Sequence, residues 1–125
     1  KRRVDTHTEA LTVIGEVKGK NAIIVDDEVD TAGTMCDAIR ALVDEGVEDV
    51  YCCFVHPVLS ADAVDHLREA PIRELVTTNS VPIPPEKRLY NMTVISVAPL
   101  LAGVIQRVHA GRSVGEMFVP YHGYS

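Results

Sequence analysis

The sequence predicts an α/β fold, a parallel-sheet three-layer sandwich with helices on both sides of the sheet. Two observations predict it. Short apolar runs such as Ala22-Ile23-Ile24-Val25 show no polar alternation, as strands covered on both faces should. These runs take turns along the chain with stretches whose apolar residues recur at helical spacing, the βαβ pattern of a parallel sheet.

The elements follow in order. Glu9 to Gly15 alternates loosely and suggests a short strand, followed by a turn at Lys18-Gly19-Lys20. Ala22 to Val25 reads as a central strand. Met35, Ala38, Ile39, Leu42 and Val43 mark one helix face that stops at Gly46, a residue type suited to the left-handed position after a helix. Val50 to Val55 is the next strand, ended by Pro57. Ser60 is placed to cap a helix carrying Ala63, Val64 and Leu67. Ile72 to Thr77 is a further strand, Pro82, Pro84 and Pro85 make a rigid loop, and Met92 to Val97 is the last strand. Pro99 suits a first helical turn, with Leu100, Leu101, Val104, Ile105 and Val108 along one face.

Chemistry gathers where the Ala22–Val25 strand ends. The run Asp26-Asp27-Glu28-Val29-Asp30-Thr31-Ala32-Gly33-Thr34 brings acids, hydroxyls and a glycine to the C-terminal edge of a strand, where open α/β sheets bind ligands. The helix that follows starts there, and its unpaired N–H groups suit a phosphate. Asp26 and Asp27 can grip hydroxyls or a hydrated Mg²⁺, while Asp30 to Thr34 close around an anion. Gly33 would supply a positive φ or an approach too close for a Cβ. Each hydrogen bond to a charged partner contributes roughly 1.5–3 kcal/mol, so a few such donors hold a sugar phosphate without a lysine. The Walker A and dinucleotide glycine patterns are both absent.

The Asp-Asp-x-x-Asp-Thr-Ala-Gly-Thr form of this run resembles the phosphoribosyl pyrophosphate (PRPP) loop of the type I phosphoribosyltransferase fold, in the version found in ribose-phosphate pyrophosphokinases. The likeness extends to Lys1-Arg2-Arg3, Val17 to Lys20, His56 to Ser60, Thr78-Asn79-Ser80, Val97 to Ala102 and Arg107-Val108-His109. It implies that Asp26 and Asp27 bind ribose hydroxyls, and that Asp30, Thr31, Ala32, Gly33 and Thr34 bind the 5-phosphate. Lys1 and Arg3 would stabilise the transition state, and a Mg²⁺ would be held by Asp26 and Asp27, through water. The implied reaction moves the diphosphoryl group of Mg-ATP to the anomeric hydroxyl of ribose 5-phosphate, giving PRPP and AMP. Residues 1–8 would end the catalytic flexible loop, and 111–125 would form the C-terminal tail. The resemblance also implies a hexamer built from dimers and a regulatory site at Ser113 and Phe118, although Gly115 stands where a second serine is common.

Composition sets the outer limits. A chain of 125 residues has the size of one domain and can bury a sizeable core. A net charge of −6 with scattered basic residues argues against nucleic-acid binding. No apolar run has the length of a membrane span. Three cysteines, two of them adjacent, make no disulfide framework and suggest a reduced, cytoplasmic protein. The start at Lys1-Arg2-Arg3 reads as a piece, the C-terminal half of a larger enzyme whose ATP site lies mostly elsewhere, inactive on its own.

Three other readings share some of these features. A receiver domain also opens with Val-Asp-Asp-Glu, but it needs a phospho-accepting Asp at the end of its third strand, and the region of Asp62 and Asp65 reads as helix. A noncatalytic PRPP-sensing relative would keep the loop without needing Lys1 and Arg3. A phosphoribosyltransferase would share the loop but not the His56–Ser60 and Val97–Ala102 matches. The remaining histidines, His7, His66, His109 and His122, lack metal-ligand spacing and read as surface or packing residues.

Overall fold

A computed structural model describes residues 12–118 of the chain. Four parallel strands lie in the order β1-β2-β3-β4: Ala22–Val29, Val50–Pro57, Glu74–Thr78 and Met92–Ile95. Helix α1 (Gly33–Asp44) joins β1 to β2, and α2 (Ala63–Glu69) joins β2 to β3. A one-turn 3-10 helix at Pro85–Lys87 precedes β4. The expected α/β architecture with a parallel sheet is present.

Because parallel crossovers are right-handed and the strands follow chain order, α1 and α2 lie on the same face of the sheet. Met35, Cys36 and Ile39 of α1 and Ala63 and Leu67 of α2 pack there with Val50, Cys52, Phe54 and Leu75 in one buried cluster. Among the described residues, side chains on the opposite face are exposed. Ile23 is 67% and Val25 75% exposed, and Val55 and Ile95 are also open to solvent. β1 is therefore an edge strand among the described residues, not the central strand its unbroken apolar run predicts. That run reads as two-sided cover, and among the described residues its Ile23 and Val25 side chains are exposed. The adjacent cysteines divide as a strand requires, with Cys52 buried and Cys53 half-buried on the opposite face.

Local chemistry explains the helix ends. Gly46 takes φ +85° after α1; its N–H bonds the Val43 carbonyl and the next N–H, of Val47, bonds that of Leu42. This paired bonding is the Schellman stop, so the glycine ends the helix where its apolar face ends. Ser60 does not cap α2 with its side chain; only its carbonyl takes part, accepting from Ala63 N–H at 3.1 Å. The expected strand over 9–15 is absent from its described part, residues 12–15. One polar group is anomalous: the Thr77 hydroxyl is buried with no hydrogen-bond partner among the described residues.

The described residues from 96 to 118 belong to a second compact unit. Its helix α3 (Ala98–His109) starts with proline in its first turn and ends at Gly111 with the same paired stop, Gly111 to Val108 and Arg112 to Arg107. No helix of the described residues is long and apolar enough to cross a membrane.

Candidate functional site

Strand β1 runs four residues further than its apolar core, through Asp26, Asp27 and Glu28 to Val29, because the edge keeps pairing with β2 as far as Val29 opposite Pro57. The loop proper is only Asp30, Thr31 and Ala32 before α1 begins. A cavity of about 230 Å³ opens at this junction. Its walls are Asp26, Asp30, Thr31, Ala32, Gly33 and Thr34, the predicted ligand residues, together with Glu28, Val29 and Met35. Asp27 is exposed and adjacent but is not part of the wall; its N–H donates to the Asp26 carboxylate at 2.9 Å.

The cavity's floor is the start of α1. The first N–H with a partner one turn back is that of Cys36, which bonds the Ala32 carbonyl at 2.9 Å. The amides of Gly33, Thr34 and Met35 therefore precede the first helical bond and have no intrahelical acceptor. No side chain caps them. Such amides, with the positive end of the helix dipole behind them, favour an anion.

The left-handed residue in the loop is Ala32, with φ +64°, rather than Gly33. A Cβ on Gly33 would meet only Thr31 Oγ1 at 3.8 Å, an ordinary contact. Gly33 is thus free of the positive φ expected for it, and what remains for it is room for a ligand against the backbone.

The neighbouring turn holds this loop in place. Leu59 N–H donates to Val29 and Ser60 N–H to Asp30, both to backbone carbonyls at 3.0 Å, and Ser60 Oγ donates to the Asp30 carboxylate. His66 Nδ1 donates to the Thr31 carbonyl at 3.1 Å. Lys87 Nζ in turn bonds the Leu59 carbonyl at 2.7 Å, which ties the turn to the segment before β4. Ser60, expected as a helix cap, and His66, expected as a surface or packing residue, instead brace this loop through bonds that span 30 and 35 residues.

A second cluster sits on the same sheet edge. Ser80 Oγ and Thr78 Oγ1 both donate to the Val55 carbonyl, at 2.9 and 2.7 Å. With the serine proton so used, the 2.9 Å contact from His56 Nδ1 to Ser80 Oγ is donation by the histidine.

Among the described residues no group of three or more His, Cys, Asp or Glu side chains could cage a metal ion. Asp26 and Asp27 together offer carboxylates of the kind that hold Mg²⁺ through water and substrate phosphates, so they fit such an ion without enclosing it. Lys1 and Arg3 lie outside the described residues. Ser113 and Phe118 belong to the second unit: the Ser113 carbonyl accepts from Arg107 at 2.8 Å, and Phe118 is exposed.

Residues 3–119 match the family model described as the phosphoribosyl synthetase-associated domain. The chain belongs to that family. Among its relatives, the ribose-phosphate pyrophosphokinase of Caldanaerobacter subterraneus subsp. tengcongensis is 49% identical over 110 residues, covering 88% of this chain and 35% of the relative. The Bacillus subtilis enzyme of the same name is 46% identical with the same coverage. That of Gloeobacter violaceus is 42% identical over 118 residues, 94% of this chain and 36% of its own length. The crystal structure of phosphoribosylpyrophosphate synthetase from Mycobacterium smegmatis superposes with a TM-score of 0.77 at 43% identity, over 78% of this chain and 33% of that one. The chain thus spans about a third of the length of the curated relatives it matches. The match gives this sheet the phosphoribosyl synthetase family's fold.

Proposed function

We propose that the chain is the ribose 5-phosphate-binding part of a ribose-phosphate diphosphokinase, which transfers the diphosphoryl group of ATP to the anomeric hydroxyl of ribose 5-phosphate. The observation that carries this reading is the cavity at the end of β1, where acids on one flank and uncapped helix amides on the other meet within a single loop. The names of the relatives agree with it.

In this reading the amides of Gly33, Thr34 and Met35 and the hydroxyls of Thr31 and Thr34 hold the 5-phosphate. Asp26 accepts from the ribose hydroxyls, with Asp27 beside it. A Mg²⁺ on these carboxylates would supply charge neutralisation for the phosphates of ATP. Fixing the sugar at both ends leaves its anomeric hydroxyl free to be presented for attack, and phosphoryl transfer depends mostly on such positioning. Lys1 and Arg3 would stabilise the developing charge, an interaction whose loss typically costs about 2.7–4 kcal/mol in barrier. The ATP site belongs mostly to the remainder of a longer protein. That remainder, or a second subunit of a hexamer, would cover the exposed sheet face of Ile23, Val25 and Val55. Ser113 and Phe118 would lie at a regulatory site between subunits, and the location is cytoplasmic.

The division of labour is tested by assaying the purified chain for AMP release from ATP and ribose 5-phosphate. It should be inactive alone, while Asp27→Asn or Gly33→Val in a full-length enzyme bearing this segment should abolish turnover. AMP formation by the chain alone would refute the division, and wild-type turnover by either variant would remove the assignment of the cradle.

A further inference from the structure

The backbone of the cradle is strained at one point, and a single side chain from another helix braces it. Ala32 has φ +64°, a left-handed conformation in which a Cβ crowds the backbone. Strain of this kind persists only where the surroundings over-determine it. The flanking peptide offers an escape: a flip of the Thr31–Ala32 peptide plane would return Ala32 to negative φ. Its cost falls on the ligand, because a trans peptide points its C=O and N–H in opposite directions. The flip would put the Thr31 carbonyl oxygen where the Ala32 N–H now stands, in two residues that line the cavity.

His66 opposes that flip. Its Nδ1 donates to the Thr31 carbonyl at 3.1 Å from α2, and His66 is not part of the cavity wall formed by Thr31, Ala32 and Gly33. The carbonyl is therefore held toward α2, and the Ala32 N–H is left on the other side. Resting on the reading of the cavity as a phosphate cradle, we propose that His66 is a positioning residue for phosphate binding, acting as a lock on the Thr31–Ala32 peptide. It touches no ligand itself. Its contribution is to keep one amide donor pointed at the anion before the anion arrives, so that binding does not have to reorganise the loop.

The test uses His66→Phe and His66→Asn in the full 125-residue chain, since the Asn amide nitrogen can stand where Nδ1 stands. Two quantities are read: the Ala32 backbone conformation without ligand, from NMR couplings and shifts, and the Kd of ribose 5-phosphate by calorimetry. The Phe variant should lose the positive-φ signature at Ala32 and bind about two- to tenfold more weakly, the worth of one hydrogen bond. Its melting temperature should stay near wild type, and His66→Asn should restore both readouts. A Phe variant with the wild-type Ala32 signal and wild-type Kd overturns the proposal. Should the Phe variant fail to fold, His66→Asn is compared with His66→Gln, whose nitrogen reaches further: tight binding by Asn alone supports the lock, and equal binding by both overturns it. If the wild-type chain binds no ribose 5-phosphate, the cradle reading fails, and the Ala32 signal still decides whether His66 locks the peptide.

Discussion

Ser60 holds Asp30 at two points: its N–H meets the Asp30 carbonyl at 3.0 Å, and its hydroxyl meets the Asp30 carboxylate. The turn after β2 therefore fixes both the path of the loop after β1 and the rotamer of its last acid. With the carboxylate so engaged, Asp30 shapes the loop while it lines the cavity.

Replacing Ser60 with alanine keeps the backbone bond and removes the second. The side chains are exposed, so the expected loss of stability is small, about 0.5–1 kcal/mol. Binding should suffer more than folding, with a several-fold rise in the Kd for ribose 5-phosphate and a denaturation midpoint close to wild type. Equal affinity in the two proteins would show that Asp30 needs no such restraint.

Thr77 offers a test of packing. Its hydroxyl is buried without a partner among the described residues, and an unmade bond of this kind costs about 1–3 kcal/mol. Thr77→Val keeps the shape and removes the polar atom, so the urea midpoint should rise by the equivalent of about 1 kcal/mol at an unchanged slope. A fall in the midpoint would mean that the hydroxyl has a partner.

The cysteines predict an alkaline limit. Burial pushes the Cys52 thiol up to about 12 from 9.0, with the neighbouring thiols Cys36 and Cys53 adding to the shift, and burial raises Cys36 as well. A thiol that keeps its proton in the fold after the unfolded chain has lost it stabilises the fold fully below pH 9, and this contribution is lost as pH rises from about 9 toward 12. Stability measured by denaturant titration should therefore decline across that window. Native-state labelling at pH 8 should modify Cys53 well ahead of Cys36 and Cys52, which become reactive on unfolding. Uniform labelling of all three would contradict the burial pattern.

Much of the candidate site's lining was legible in the residues because its signals are local. Threonines and a glycine at a strand-to-helix junction mark a candidate anion site from local sequence, and Gly46 marks its helix end in the same way. What was not legible depends on distant partners. Ala32 carries the positive φ although alanine is no usual left-handed residue, since the brace that supports it comes from His66. Ser60 reads as a helix cap because capping serines stand just before helices, but its hydroxyl finds a carboxylate 30 residues away. The apolar run of β1 reads as a strand covered on both faces, yet among the described residues β1 lies at the sheet edge with Ile23 and Val25 exposed.

The most direct measurement follows the amide signals of Thr31, Ala32, Gly33 and Thr34 as ribose 5-phosphate is added to the chain. Large saturable shifts confined to these residues and to Asp26 and Asp27, absent with unphosphorylated ribose at the same concentrations, are the expected result. Shifts spread evenly over the chain, or none at this loop, would contradict the assignment of a sugar-phosphate cradle at the end of β1.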